Sequence, residues 1–177
     1  MKTLVIYKSK TGFVKKYAEW LAEDLSAEIF EASKVNINML TEYDAVIYGG
    51  GLYAVGINGV KFITRNLDKL IGKKVVVFAS GASPFSEKVI NHVTTNNFTP
   101  DQLKHLKFFY LRGGFNYNKL SAFDKVLMTL LKWKIMSKKK RKKELTSDEI
   151  GMLEVLEKPA DFTNRSYIDQ IITYVNS

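Results

Sequence analysis

The amino-acid sequence predicts an α/β fold in which five parallel strands form a doubly wound sheet covered by helices on both faces. Two observations lead to this prediction. Short apolar runs rich in β-branched residues, typical of strands buried on both faces, alternate with segments whose apolar residues recur at helical spacing. Such alternation implies right-handed crossovers between parallel strands. The 177 residues suit one domain, and we expect a single domain over residues 1–177.

Three strands and one helix are predicted in the first part of the chain. Residues 2–7 and 44–48 are compact apolar runs, and the second of them ends abruptly at three consecutive glycines. Residues 27–32 can form a short strand between them. A helix is predicted at residues 13–26, because one apolar stripe recurs there with helical spacing: Val14, Tyr17, Ala18, Leu21 and Leu25.

Two strands and three helices are predicted in the rest of the fold. The helix after the third strand is indicated by the spacing of Val60, Ile63, Leu67 and Leu70. Residues 74–80 are the clearest buried strand, with a helix from residue 86 to about 95 after it, and residues 107–111 form the fifth strand. The last helix carries the stripe Tyr167, Ile168, Ile171, Ile172 and Val175, with Thr163 or Asn164 as its N-cap.

The composition excludes several kinds of site. Cysteine is absent, which removes disulfides, iron–sulfur clusters, thiolate metal sites and cysteine nucleophiles. His92 and His105 have no carboxylate partner at ligand spacing, so no metal site is expected. Neither a G-x-S-x-G elbow nor a Walker A loop occurs. The N-terminal apolar run is too short for a signal peptide, and no apolar stretch approaches about 18 residues, so we expect a cytoplasmic protein.

The loop after the first predicted strand is a candidate phosphate site. It reads Ser9, Lys10, Thr11, Gly12 and Phe13, and Val14 follows in the helix. Small hydroxyl residues and a glycine let backbone N–H groups converge on an anion, and the helix N-terminus adds partial positive charge. An ordinary turn with Thr11 as the helix N-cap is the alternative interpretation.

Ser9, Thr11 and Gly12 in this position resemble the phosphate loop of flavodoxins, whose pattern is [ST]-x-T-G-x-T; Val14 stands at its last place. The resemblance implies a flavodoxin-like fold that binds one FMN noncovalently, with its phosphate against residues 9–14. It also implies that the loops after the third and fourth strands hold the isoalloxazine ring. The residues of these loops are Gly50, Gly51, Leu52, Tyr53 and Ala54, and then Ser80, Gly81, Ala82 and Phe85. Tyr53 is expected to stack on the ring or to flank its edge.

One segment carries the whole excess of positive charge. Residues 107–143 contain twelve Lys or Arg and one acid, whereas the fifteen bases and seventeen acids elsewhere nearly cancel. Within the segment, a capping box at Ser121 opens a predicted helix. Its apolar residues are Phe123, Val126, Leu127, Leu130 and Leu131, widened by Met128, Trp133, Ile135 and Met136. The run Lys138, Lys139, Lys140, Arg141, Lys142 and Lys143 follows.

This segment has three interpretations. A polybasic run beside an amphipathic helix is a candidate anchor for an anionic membrane surface, which would place the protein on the inner face of the cell membrane. A solvated lysine loop beside a core helix is the plainer alternative. Nucleic-acid binding is not favoured, because no known nucleic-acid module accompanies the charge.

The insertion, at about residues 112–160, resembles that of the flavodoxin-like, menaquinone-dependent protoporphyrinogen IX dehydrogenases. The residues that carry this likeness are Gly113, Tyr117, Phe123, Asp124 and Lys125. The resemblance implies an FMN-dependent oxidoreductase of heme biosynthesis, with a porphyrinogen as donor and a quinone as acceptor at the membrane surface. Two alternatives stay open: a non-catalytic electron-transfer protein that docks to an acidic partner, and a binding scaffold that has lost FMN. The sequence singles out no catalytic residue.

Overall fold

The computed structural model describes residues 1–53, 55–120, 122–141, 144–145, 149–150, 153, 156 and 158–177. Two compact units divide the chain. The first joins Met1–Gly113 to Phe162–Ser177, and the second is Gly114–Asp161. The prediction of a single domain with an insertion at about residues 112–160 stays a prediction.

The first unit contains β1 (Thr3–Lys8), α1 (Phe13–Leu25), β2 (Glu28–Glu31), β3 (Ala45–Tyr53), β4 (Gly56–Ile57), α2 (Lys61–Thr64), β5 (Lys74–Gly81), α3 (Glu87–Asn97) and β6 (Lys107–Arg112). The second unit contains β7 (Gly114–Phe115), α4 (Ala122–Lys140) and β8 (Ala160–Asp161). The chain then returns to the first unit and ends with α5 (Asp169–Asn176). Single turns of 3-10 helix include Leu67–Leu70 and Arg165–Ile168.

The main sheet has the strand order β2-β1-β3-β5-β6, and these five strands are parallel. This arrangement confirms the predicted fold class. The short strand β4 folds back on β3 as an antiparallel hairpin. In this register residues near the carboxyl ends of neighbouring strands lie side by side, with Lys8 beside Gly50 and Gly51 beside Ser80. The loops that follow β1, β3 and β5 therefore leave the same edge of the sheet.

Both faces of the sheet are buried. Val75 and Val77 of β5 pack into a cluster that contains Val93 of α3. The intervening residues Val76 and Phe78 pack into a second cluster with residues of α1 and α5. Side chains on a strand alternate between faces, so this uninterrupted apolar run serves two cores at once. The sequence prediction of strands buried on both faces is confirmed for β1, β3 and β5, whereas the edge strand β2 is only partly buried.

The third strand is longer than predicted. It continues through its glycines to Tyr53 instead of ending at Tyr48. Gly49 pairs with Phe78 of β5, and a methyl group added at Gly49 would lie only 2.1 Å from Phe78 Cζ. The missing side chain at Gly49 therefore makes room for the phenylalanine ring. The prediction was wrong here because glycine was interpreted only as a strand breaker.

Two predicted helices have different forms in the structure. The segment after β4 is one turn of α-helix, α2, followed by the 3-10 turn Leu67–Leu70. The side chain of Asn66 donates to the carbonyl of Phe62 (2.8 Å) between these turns, which offers the backbone an alternative to continuous helix. Near the C-terminus, Asn164 accepts from the N–H of Ser166 and caps the 3-10 turn that leads into α5. Of the two predicted capping residues, Asn164 thus caps this 3-10 turn, whereas the N-cap of α5 itself is Ile168, which provides no side-chain cap.

In the second unit β7 and β8 form an antiparallel pair, and α4 is the long helix predicted from the apolar pattern. Lys138, Lys139 and Lys140 form its last turn, where cations interact favourably with the helix dipole. The predicted capping residue Ser121 lies outside the described residues, as do Lys142 and Lys143. Among the described residues, no helix is long and apolar enough to cross a bilayer.

Candidate functional site

The loop after β1 positions the start of α1. The N–H of Gly12 donates to Ser9 Oγ (3.1 Å), and Gly12 adopts a left-handed backbone conformation with φ 97°. Gly12 is also the N-cap of α1, so the helix start has no side-chain cap and no acidic residue in its first turn. The alternative in which Thr11 caps the helix is therefore wrong. An uncapped helix start retains N–H donors and positive partial charge for an anion.

Val14 contributes its backbone and not its side chain to this loop. It is only 3% exposed and packs in the core cluster beneath α1. Its Cγ2 would lie 3.7 Å from a methyl group placed on Gly51, an ordinary contact distance. The side chain of Val14, which stands where the flavodoxin pattern has threonine, thus fills the space between α1 and β3.

The loop after β1 contacts the end of β3. Lys10 Nζ lies 4.1 Å from the ring centroid of Tyr53, at the distance of a cation–π interaction. Tyr53 is half-buried and ends β3. The contact joins the predicted phosphate loop to the predicted ring loop. No sequence pattern indicated it, because the two residues are far apart in the chain.

The hairpin of β3 and β4 is held by two side chains that the sequence analysis did not identify. Asn97 of α3 accepts from the N–H of Ile57 (2.8 Å) and donates to the carbonyl of Val55 (2.6 Å). The hydroxyl of Tyr48 donates to the carbonyl of Asn58 (2.8 Å). Burial raises the pKa of Tyr48 well above its usual range, so the phenol stays protonated and remains a donor.

The loop after β5 is held from the neighbouring strand β6. The hydroxyl of Tyr110 donates to the carbonyl of Ser83 (2.7 Å), and Arg112 Nε donates to the carbonyl of Ala82 (3.2 Å). Burial raises the pKa of Tyr110 to about 12, although the positive charge of Arg112 opposes this shift. Phe85 projects from the same loop and is 69% exposed. Its ring is therefore accessible to a ligand.

Ser80, the residue beside Gly51 in the register, has an unsatisfied hydroxyl. The residue is 7% exposed, and Ser80 Oγ finds no hydrogen-bond partner in the part of the chain that the structure describes. A methyl group on Gly113 would lie 2.2 Å from this oxygen and 3.4 Å from Phe13 Cβ. A buried polar atom without a partner costs about 1–3 kcal/mol, so such atoms often mark a functional position.

The charge of the three loops favours an anionic ligand. Residues 8–13, 49–59 and 80–86 contain no aspartate or glutamate, whereas Lys8 and Lys10 add positive charge. Together with the uncapped start of α1, these residues can bind a phosphate group, while Tyr53 and Phe85 offer aromatic surface. The residues present therefore fit a phosphorylated aromatic cofactor such as FMN.

The sequence profile of the flavodoxin domain matches residues 4–146. The chain belongs to the flavodoxin domain family. Membership of this family supports FMN as the cofactor and a flavodoxin-type redox role, as expected from the sequence. The narrower resemblance to protoporphyrinogen dehydrogenases is not established by this match.

Individual relatives are distant. An uncharacterized protein of Methanocaldococcus jannaschii is 27% identical over 126 residues, which cover 70% of this chain and 83% of that protein. The structure of the Trp repressor binding protein from Bacillus subtilis is similar with a TM-score of 0.50 at 17% identity, covering 65% of this chain and 85% of that one. A flavoprotein from Lactobacillus acidophilus in complex with FMN has a TM-score of 0.42 at 18% identity, covering 63% and 91%. The likeness to the Bacillus subtilis protein shows the fold alone.

The structure brings the three predicted loops to one edge of the sheet, but it gives the predicted residues different surroundings. Lys10 and Tyr53 are in contact, and the side chains of Val14 and Ser80 are buried. Ala54 lies outside the described residues. The contacts of all these residues with FMN stay a prediction.

Proposed function

We propose that this protein is a flavodoxin-type redox protein that holds FMN in the loops after β1, β3 and β5. Residues 9–13 at the start of α1 would hold the phosphate, and Tyr53 and the loop of residues 80–85 would hold the isoalloxazine ring. When bound, FMN supplies one- and two-electron transfer. The chain binds the cofactor, orients its ring and limits access of water.

The observation that carries this proposal is the contact between Lys10 and Tyr53. It holds the phosphate loop and the ring loop together at the edge of the sheet, with Lys10 Nζ 4.1 Å from the ring centroid. The flavin phosphate and ring belong to one molecule, so their binding loops must be neighbours. The ammonium group also adds a charge that favours the phosphate and the reduced, anionic form of a flavin.

Titration of the flavin-free protein with FMN and with riboflavin tests the proposal. We expect FMN to bind with quenched flavin fluorescence, and riboflavin, which lacks the phosphate, to bind at least tenfold more weakly. Absence of FMN binding would contradict the proposal, and equal affinity for the two flavins would contradict the phosphate site.

A pair of glycine variants separates the phosphate loop from general effects of backbone strain. Gly12→Ala should weaken FMN binding, because Gly12 has φ 97° at the start of α1. Gly72→Ala is the control, because Gly72 also has a positive φ of 80° but no atom within 4 Å of an added methyl group. Equal losses of FMN affinity in both variants would point to strain and not to the phosphate loop.

We propose oxidation of a porphyrinogen with a quinone as acceptor, at the membrane surface, as the more specific activity. The exposed apolar residues of α4, among them Trp133 and Leu130, favour this candidate over an electron-transfer protein that docks to an acidic partner. A direct assay of protoporphyrinogen oxidation with a menaquinone analogue tests it. Flavin-loaded protein that passes electrons to an acidic redox partner in a salt-dependent way, and does not oxidise the porphyrinogen, would support the second candidate instead.

A further inference from the structure

Helix α4 exposes five large apolar side chains. They are Phe123, Val126, Leu127, Leu130 and Trp133, and the most exposed, Trp133, is 75% accessible. We call these five residues the α4 apolar face. Monomeric proteins seldom expose contiguous apolar patches of large side chains unless the patch has a partner.

The α4 apolar face differs from the side of the helix that is buried. At about 100° per residue, its five members fall within an arc of about 120° on the helix surface. Ile135, the buried residue of α4, projects about 140° from the centre of that arc. The helix thus has two apolar sides, of which one is buried and the other faces solvent. A helix that only covered a protein core would need a single apolar side.

Positive charge continues from this face to the end of the helix. Lys134 lies within the arc and is exposed, and the exposed Lys140 projects about 80° from its centre. The exposed Arg141 follows directly after α4, whereas Lys139 projects from the opposite side of the helix. The cations of α4 greatly outnumber its single acid, Asp124. Lysine side chains can extend along an apolar surface and keep their ammonium groups in water. This pattern suits a partner surface that has an apolar interior and an anionic outer layer.

We infer that α4 lies in the interface of an anionic lipid bilayer, with the α4 apolar face toward the acyl chains and the cations on the phosphate headgroups. Tryptophan is favoured at this depth because its ring is amphipathic. A lipid surface is a better partner than an acidic protein, because five adjacent large apolar side chains need an apolar medium as well as negative charge. This docking underlies the membrane-surface activity proposed above, but the binding itself needs no flavin.

Co-sedimentation of the full chain with vesicles tests the inference. The probes are vesicles of phosphatidylcholine alone and of equal parts phosphatidylcholine and phosphatidylglycerol. We expect pelleting with the anionic vesicles, reduced at high salt because screening weakens the attraction to the headgroups. Flavin content is measured on the same samples, so that a failure of FMN binding and a failure of lipid binding are distinguished. No pelleting, or equal pelleting with both kinds of vesicle, would overturn the inference.

Two pairs of variants test the face and the charges separately. Leu130→Ser should lower the vesicle partition coefficient about tenfold or more, whereas the control Ile71→Ser, at an exposed apolar residue of the first unit, should not. Replacing Lys134, Lys140 and Arg141 by Gln should lower it about 100-fold at low salt. The control replaces three other exposed lysines by Gln, namely Lys34, Lys61 and Lys88.

The same variants distinguish lipid from a second copy of the chain. Sedimentation velocity without vesicles should give a monomer for both the wild type and Leu130→Ser. A dimer that Leu130→Ser dissociates would assign the α4 apolar face to self-association and overturn the inference. Equal loss of vesicle binding in a variant and in its control would overturn it as well, because the effect would not depend on α4.

Discussion

The ammonium group of Lys10 lies over the ring of Tyr53, 4.1 Å from its centroid. Lys10 lies in the loop after β1 and Tyr53 is the last residue of β3, and the two meet because these strands are neighbours in the sheet. A cation held against an aromatic ring in this place adds to the affinity for a flavin phosphate and stabilises added negative charge on the flavin. It also restricts the positions available to Tyr53.

Lys10→Gln should therefore weaken FMN binding and lower the reduction potential of the bound flavin. An ion pair with the phosphate at an exposed site contributes about 0.2–1 kcal/mol, so the dissociation constant should rise by up to about fivefold. If the reduced flavin loses about 1 kcal/mol of stabilisation relative to the oxidised flavin, the reduction potential of the two-electron couple falls by about 20 mV. Potentiometric titration and flavin fluorescence measure the two effects. Lys34→Gln, which removes an exposed lysine elsewhere, is the control, and an unchanged potential in Lys10→Gln would contradict this role.

Asn97→Ala should destabilise the protein and loosen the β3–β4 hairpin. The substitution removes the acceptor of the Ile57 N–H and the donor to the carbonyl of Val55. An unpaired buried backbone group costs about 1–3 kcal/mol, and the free energy of unfolding should fall by about that amount. FMN affinity should fall too, because the hairpin carries Tyr53. The neighbouring control Asn96→Ala loses only a bond to the carbonyl of His92 and should change both quantities little.

Gly49→Ala should be strongly destabilising and Gly51→Ala should not. A methyl group at Gly49 would meet the Phe78 ring at 2.1 Å, whereas at Gly51 its nearest neighbour would be 3.7 Å away. Overpacking of a core typically costs about 1–3 kcal/mol. Urea denaturation measures the difference between the two variants. Equal stabilities would show that the ring of Phe78 can move aside at little cost.

Ser80→Ala should leave the stability of the flavin-free protein unchanged or raise it by about 1 kcal/mol. The reason is that the substitution removes a buried hydroxyl that has no partner among the described residues. If the hydroxyl serves the cofactor, FMN affinity should fall in the same variant. Ser83→Ala is the control, because Ser83 is exposed in the same loop and its carbonyl, not its side chain, accepts from Tyr110. A marked loss of stability in Ser80→Ala would reveal a structural role for the hydroxyl.

Stability should decline as the pH rises above about 10. Burial raises the pKa of Tyr110 to about 12 from its usual value of 10.0, and the pKa of Tyr48 is raised further. In the window between the usual and the raised values, the unfolded chain has lost these protons and the folded chain still binds them. Rising pH therefore favours unfolding. Urea denaturation from pH 9 to about 11.5 should show this slope. The slope should be smaller in Tyr110→Phe, and an unchanged slope in that variant would remove Tyr110 as a cause.

The helix after β5 illustrates how much of the fold could be predicted locally. Its N-cap Ser86 accepts from the N–H of Val89, and the segment between this cap and Asn97 is helical, close to the predicted range. The strand before it, with Val75, Val76 and Val77, was equally clear, because a continuous apolar run requires burial on both faces. Predictions were less accurate where one residue type can have two structural roles. Gly49 was interpreted as the end of a strand, but it makes room for a ring inside one.

The position of the site was predicted from local signals, but its contacts were not. Once the strands were recognised as parallel, the loops after β1, β3 and β5 had to meet at their carboxyl ends. Neither the contact of Lys10 with Tyr53 nor the bond from Ile57 to Asn97 follows from that argument. Each depends on the order of the strands and on the length of the hairpin.

The sequence by itself determined the layers of this protein, because the spacing of apolar residues reports which face of each element is buried. The tertiary structure alone decided which side chains meet at the edge of the sheet and which side of α4 remains exposed. The physical reason is that periodicity is a property of neighbouring residues, whereas the surroundings of Lys10, Ser80 or Trp133 are created by segments brought together only when the chain folds.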